Sequence, residues 1–123
     1  MTARTAACAD FSRDTARVVA TPSYDMTLLS DRWTEVHGLP EAVSLAVELT
    51  RELTEGHRLF DVSVRAVAVR KLRKDVLFWL PADNRWAWVH LTWATETSPA
   101  WPSSEVVETW HEAVKAVTDA DRG

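Results

Sequence analysis

Four histidines, one cysteine and 18 carboxylates are the raw material for chemistry in this chain, and few of them fall at a spacing that chemistry requires. His111-Glu112 is half of the arrangement that holds zinc from one helix face, but the second histidine would fall at residue 115, which is Lys115. Thr92, Ser103 and Ser104 have no neighbouring base in sequence and no nucleophile-elbow glycines. Glycine occurs only at 38, 56 and 123, so a phosphate-cradling glycine loop is absent. Cys8, the single cysteine, forms no internal disulfide and belongs to no thiolate metal site. No cofactor, no metal site and no catalytic residue is expected. One pairing remains: His90 and Asp75 meet if the strands carrying them form a hairpin, giving either an oriented imidazole suited to a general base or a cross-strand ion pair that pins register.

That hairpin is the most informative part of the sequence. Asp75 to Leu80 (DVLFWL) and Arg85 to Trp93 (RWAWVHLTW) are rich in β-formers, and Pro81-Ala82-Asp83-Asn84 between them is a turn tetrapeptide. A four-residue turn sets Leu80 opposite Arg85, and alternation then sorts both strands. One face receives Val76, Phe78, Leu80, Ala87, Val89 and Leu91. The other receives Leu77, Trp79, Trp86 and Trp88, with His90 opposite Asp75 at its end. A tight connection from Val69 to Val76 adds Ala66 and Ala68 to the tryptophan face. Both faces are apolar, so both need covering. Six of the seven tryptophans lie between Trp79 and Trp110, which concentrates the feature.

The elements that position these strands follow from period and punctuation. Residues 1–25 show no sustained pattern and read as a mobile arm, leaving 26–120 as a single domain. Asp31 to Val36 reads as one or two helical turns. Pro40 and Glu41 open a helix running to about Glu55, with Val43, Ala46, Val47, Thr50 and Leu53 as its apolar face and Gly56 as its stop. Val62 to Val69 is a strand. A polar loop through Glu96, Ser98, Pro99 and Pro102 leads to a last helix at 103–117, capped by Ser103 or Ser104, with Val107, Trp110, Val114 and Val117 as its buried stripe. The expected architecture is α+β: a three- or four-stranded antiparallel sheet with both helices packed on the aliphatic face.

Charge is uneven. The net value is −4, yet Arg58, Arg65, Arg70, Lys71, Arg73 and Lys74 against Asp61 make residues 58–74 +5 and leave the rest −9. The run Arg70, Lys71, Arg73, Lys74 is either a solvated hairpin tip or a landing site for phosphate or an acidic partner. The acidic balance disfavours nucleic acid, and no stretch is apolar enough to span a membrane. The N-terminal residues lack the apolar core of a secretory signal, so a cytoplasmic location is expected.

The stretches Arg32-Trp33, Leu39-Pro40, His57–Phe60, Val64–Val69, Asp75–Phe78, Trp86–Trp93 and Trp101-Pro102 together resemble a small uncharacterised bacterial domain family with a WAxVHLTW-type strand. The resemblance covers about two thirds of the chain and implies no activity. Function therefore turns on what covers the tryptophan face. The candidates are the N-terminal third through Tyr24, Leu28, Leu29 or Trp33, a protein partner or second copy, and a ligand against an aromatic wall. The leading expectation is a non-catalytic binding protein, in one version immunity- or antitoxin-like, that contacts a protein partner or forms a homo-dimer through Trp79, Trp86 and Trp88 or through the basic hairpin. The alternative is a small-molecule-binding domain or minor enzyme with its pocket at His90 and Asp75.

Overall fold

A computed structural model describes residues 22–70, 74–94 and 100–122. Most of the expected arm, the residues Lys71, Leu72 and Arg73 of the basic run, and the loop residues Glu96, Ser98 and Pro99 lie outside the described residues. The chain is α+β. Five strands, β1 (Thr34–Glu35), β2 (Arg65–Arg70), β3 (Asp75–Leu80), β4 (Arg85–His90) and β5 (Ser103–Val107), form one antiparallel sheet whose spatial order equals chain order. Helix α1 (Pro40–Glu52) lies between β1 and β2, and α2 (Trp110–Arg122) follows β5.

The central hairpin takes the expected register, with all six pairs from Leu80–Arg85 to Asp75–His90 in place. Its turn closes through an Asp83 N–H bond to the Leu80 carbonyl at 3.3 Å. Asn84 adopts a left-handed φ of 53°, a conformation asparagine tolerates better than most residues. The Asn84 side chain also accepts the Trp79 indole N–H at 2.9 Å, so the turn satisfies a polar atom of the sheet's most buried tryptophan.

Alternation then builds two cores. On the aliphatic face Val76, Phe78, Leu80, Ala87, Val89 and Leu91 pack under α1 with Leu45, Leu49 and Leu59. On the opposite face Leu77, Trp79 and Trp86 pack against Trp110, Ala113 and Val117 of α2 and against Leu29 and Trp33. The β2 strand does not follow a simple alternation. A β-bulge lies between Ala66 and Ala68, so Ala68 faces the tryptophan side opposite Leu77, while Ala66 is carried to the aliphatic side opposite Phe78.

Several expectations are corrected. The sheet has five strands, not three or four, because two short edge strands were read as helix. Thr34 and Glu35 pair with Val69 and Ala68, so the Asp31–Val36 stretch is a turn and a strand. Ser103–Val107 pairs with β4 along its length, and the last helix starts only at Trp110. Its cap is Thr109, whose hydroxyl accepts the Glu112 N–H at 3.1 Å while the Glu112 carboxylate accepts the Thr109 N–H at 3.2 Å. The two helices lie on opposite faces of the sheet, since a sheet apolar on both sides must be covered on both. Tyr24 and Asp25 belong to the packed body, the Asp25 carbonyl accepting the Trp110 indole N–H at 3.0 Å.

Helix α1 is also rotated from its expected orientation. Leu45, Glu48, Leu49 and Glu52 are buried, while Val43 and Val47 are exposed. Two leucines bury more apolar surface than two valines, and residues two apart on a helix lie about 200° around its axis. Burying Leu45 and Leu49 therefore turns Val43 and Val47 outward. A denaturant melt of Trp79→Ala is expected to show a loss of about 3–5 kcal/mol, whereas Val43→Ala stays within about 0.5 kcal/mol.

Candidate functional site

The tryptophan face is filled from within the chain. Trp79 and Trp86 are buried, and Trp88 is half-buried at the margin opposite Glu105. Tyr24 packs edge-on to Trp86 with ring centroids 6.1 Å apart and tilted against Trp110 at 5.5 Å, and Trp86 and Trp110 lie 4.8 Å apart. Burial and a hydrogen bond to the Glu35 carboxylate push the Tyr24 phenol pKa upward, which keeps it a neutral donor. Trp79 and Trp86 are core, and Trp88 packs at its margin.

At one end of this face Arg70, Asp75, His90 and Ser103 stand in register across β2, β3, β4 and β5. The expected pair is formed: His90 Nδ1 lies 2.7 Å from Asp75 Oδ1, with Asp75 buried and His90 half-exposed. Ser103 completes the residue types of a hydrolytic triad, but among the described residues its hydroxyl has no hydrogen bond to His90, and none of the cavities described below is lined by His90 or Asp75. The basic run divides: Arg70 is buried, Lys74 is exposed, and Lys71 and Arg73 lie outside the described residues. Arg70 is therefore part of the packed sheet rather than of a solvated tip. No group of three or more potential metal ligands occurs among the described residues, and no described helix is long and apolar enough to cross a membrane.

The rotation of α1 creates two features that the sequence reading missed. The first is a groove of about 1070 Å³ between the outer side of α1 and the start of β2. Leu39, Val43 and Val47 line it while remaining 51, 67 and 61% exposed, and Val62, Val64 and Pro81 form the facing wall. The ionisable groups in its lining are His37, Arg51 and Arg65, with no carboxylate.

The second is a buried polar clasp at the C-terminal end of α1. Glu52, fully buried, accepts the Thr92 N–H at 2.8 Å, the Thr92 hydroxyl at 3.0 Å and the Trp93 N–H at 2.6 Å. Glu48, one turn earlier and also buried, accepts three hydrogen bonds from Arg51, from Nε at 3.0 Å and from Nη2 at 2.7 and 3.0 Å. Burial pushes the Glu52 carboxyl above the usual carboxylate range, and the adjacent Glu48 pushes the same way. The donors from Thr92 and Trp93 oppose both without overcoming them. Beyond the helix, His57 accepts the Leu59 N–H on Nδ1 at 3.0 Å, which leaves Nε2 to donate to the Pro102 carbonyl at 2.7 Å. The helix end and the 56–59 turn thus hold both sides of the loop between β4 and β5. A signal for this was present in Glu48 and Glu52, which sit at helical spacing among Leu45 and Leu49.

Comparison with protein-family models, with curated proteins and with solved structures finds no match. The functional reading therefore rests on geometry.

A carboxyl whose pKa rises on folding holds its proton more tightly in the native state. Its contribution is complete below the ordinary value of 4.5 and is lost as pH rises through the elevated folded value. Denaturant melts from pH 4 upward (pH range about 4–8) are expected to show wild type losing stability relative to Glu52→Gln, by at most ~1.4 kcal/mol per pH unit. Parallel curves for the two proteins would show that Glu52 does not titrate in this way.

Proposed function

We propose that this chain is a non-catalytic binding domain that takes up an apolar, acid-flanked segment of a partner protein in the groove along α1. The observation that carries this is the exposed line of Leu39, Val43 and Val47, set against Val62, Val64 and Pro81 in one concavity. Contiguous apolar surface of this kind is uncommon on a monomer and commonly marks an interaction site. Residues one helical turn apart facing a wall of β-branched side chains suit a partner presenting anchors at three- and four-residue spacing. The ionisable members of the described lining are His37, Arg51, which is paired with Glu48, and Arg65, so no carboxylate there repels acidic residues beside those anchors. The small size and acidic balance that suggested an immunity- or antitoxin-like role belong to the molecule as a whole and do not enter this argument.

The test uses two synthetic helical peptides with identical leucine anchors, one flanked by Glu and one by Lys. Fluorescence anisotropy is expected to show saturable binding of the acidic peptide, weakening with salt, and at least tenfold weaker binding to the doubly substituted Val43→Asp, Val47→Asp protein. Both side chains are mostly exposed, so the variant is expected to fold with an unchanged melt. Equal binding of the two peptides, or binding to neither, overturns the reading. A dimer in size-exclusion chromatography that the double substitution dissociates would make a second copy the occupant and overturn the acid-flanked partner.

The alternative, a ligand site beside His90 and Asp75, is favoured by the 2.7 Å pair and by Ser103 standing next to it on β5. His90→Gln is expected to leave the fold intact. If it also leaves small-ester hydrolysis and ligand-induced shifts near Asp75 at background levels equal to wild type, this alternative is finished.

A further inference from the structure

A cleft of about 500 Å³ lies between the turn after α1 and the approach to β5 and shares no lining residue with the α1 groove. One wall is Gly56, His57 and Arg58, and the other is Pro102, Ser103 and Ser104. We infer that this cleft binds a phosphoryl group, carried by a small phosphomonoester.

Three observations support the assignment. First, the walls are fixed relative to each other. The buried His57 bridges them, its Nε2–H on the Pro102 carbonyl and its Nδ1 on the Leu59 N–H, so the spacing is set before any ligand arrives. Both ring nitrogens are used in this strut, which leaves the imidazole no role in contacting the ligand. Second, the groups left to contact a ligand can all donate. The Arg58 guanidinium and the Ser104 hydroxyl have no hydrogen-bond or ion-pair partner among the described residues, and no carboxylate among the described residues lines the cleft to repel an anion. A guanidinium fork with a hydroxyl across from it suits the several oxygens of a phosphoryl group, which accept from more than one direction. Gly56, at φ 102°, adds no side chain to that wall, so ligand oxygens can approach backbone. Third, the volume exceeds what a bare phosphate fills and falls within the range of small-molecule sites, leaving room for an organic group on the ester oxygen.

Free phosphate and an organic phosphate share this chemistry, and the experiment separates them. Backbone amide shifts of the full chain are followed by NMR during titration with inorganic phosphate, with ribose 5-phosphate and with ribose. Saturable shifts at Gly56, Ser103 and Ser104 are expected with both phosphates, stronger for the sugar phosphate, and none with ribose. Equal affinities would assign the site to the free oxyanion through the same donors. Arg58→Gln is expected to weaken binding at least tenfold, and Ser104→Ala by a smaller factor. Lys74→Gln, an exposed cation outside the cleft, should leave affinity within about twofold. Arg58 is exposed, so its substitution is expected to leave the thermal melt unchanged. The inference is overturned if no saturable shift occurs, if ribose alone binds, or if Arg58→Gln binds as wild type does. It is equally overturned if Lys74→Gln weakens binding as much as Arg58→Gln, which would mark a diffuse surface attraction.

Discussion

The register of one hairpin governs the molecule. Because the 81–84 turn places Leu80 opposite Arg85, every side chain of β3 and β4 is assigned to a face, and a shift of one residue would exchange indoles for aliphatics throughout. The turn is held by its own closing bond and by the Asn84 side chain on the Trp79 indole. The polar atom that would be hardest to satisfy in the tryptophan core therefore reinforces the turn that puts it there. The Asp75–His90 bond at the far end fixes the same register a second time.

A sheet with two apolar faces then dictates the rest of the architecture. The aliphatic face takes α1. The indole face is too bulky for one helix alone and takes α2 together with the 24–33 segment, joined through the Tyr24–Trp86–Trp110 ring contacts. The bulge at Ala66–Ala68 allows both faces to stay packed, since it places a small residue against Phe78 on one side and against Leu77 on the other. Aromatic content, which at the level of composition suggests an interface, is here used inside the domain.

The three central strands, the 81–84 turn, the faces of β3 and β4 and the His90–Asp75 pair are legible because each depends on alternation over a few neighbouring residues. What failed depended on partners distant in sequence. Ser103–Val107 looked like a helix start because Ser-Ser-Glu is good capping chemistry. The Thr109–Glu112 box a few residues later competes for the same role, and β4 offers a ladder to Val106 and Val107. The face of α1 was misjudged for a related reason. Glu48 and Glu52 share the Leu45–Leu49 side, and while Arg51 is a helical neighbour of Glu48, nothing local reveals that the backbone of Thr92 and Trp93 would satisfy Glu52. The α1 groove and the 56–58/102–104 cleft were illegible in turn, because both arise from how α1 is oriented.

That orientation links the two proposed surfaces to one cause. A buried carboxylate is costly unless donors meet it, and Glu52 meets three at the end of the sheet, with Glu48 neutralised by Arg51 beside it. With those groups satisfied, the helix can bury its leucines, and its valines are forced to the opposite side, where they line the groove. The same clasp brings the chain beyond Glu52 against the approach to β5, where His57 bridges to Pro102 and sets the width of the cleft. Hydrophobic burial alone would favour any rotation of α1 that covers apolar area. The polar clasp selects one rotation, and an apolar groove along the helix and a donor-lined cleft beyond its end are both consequences of it.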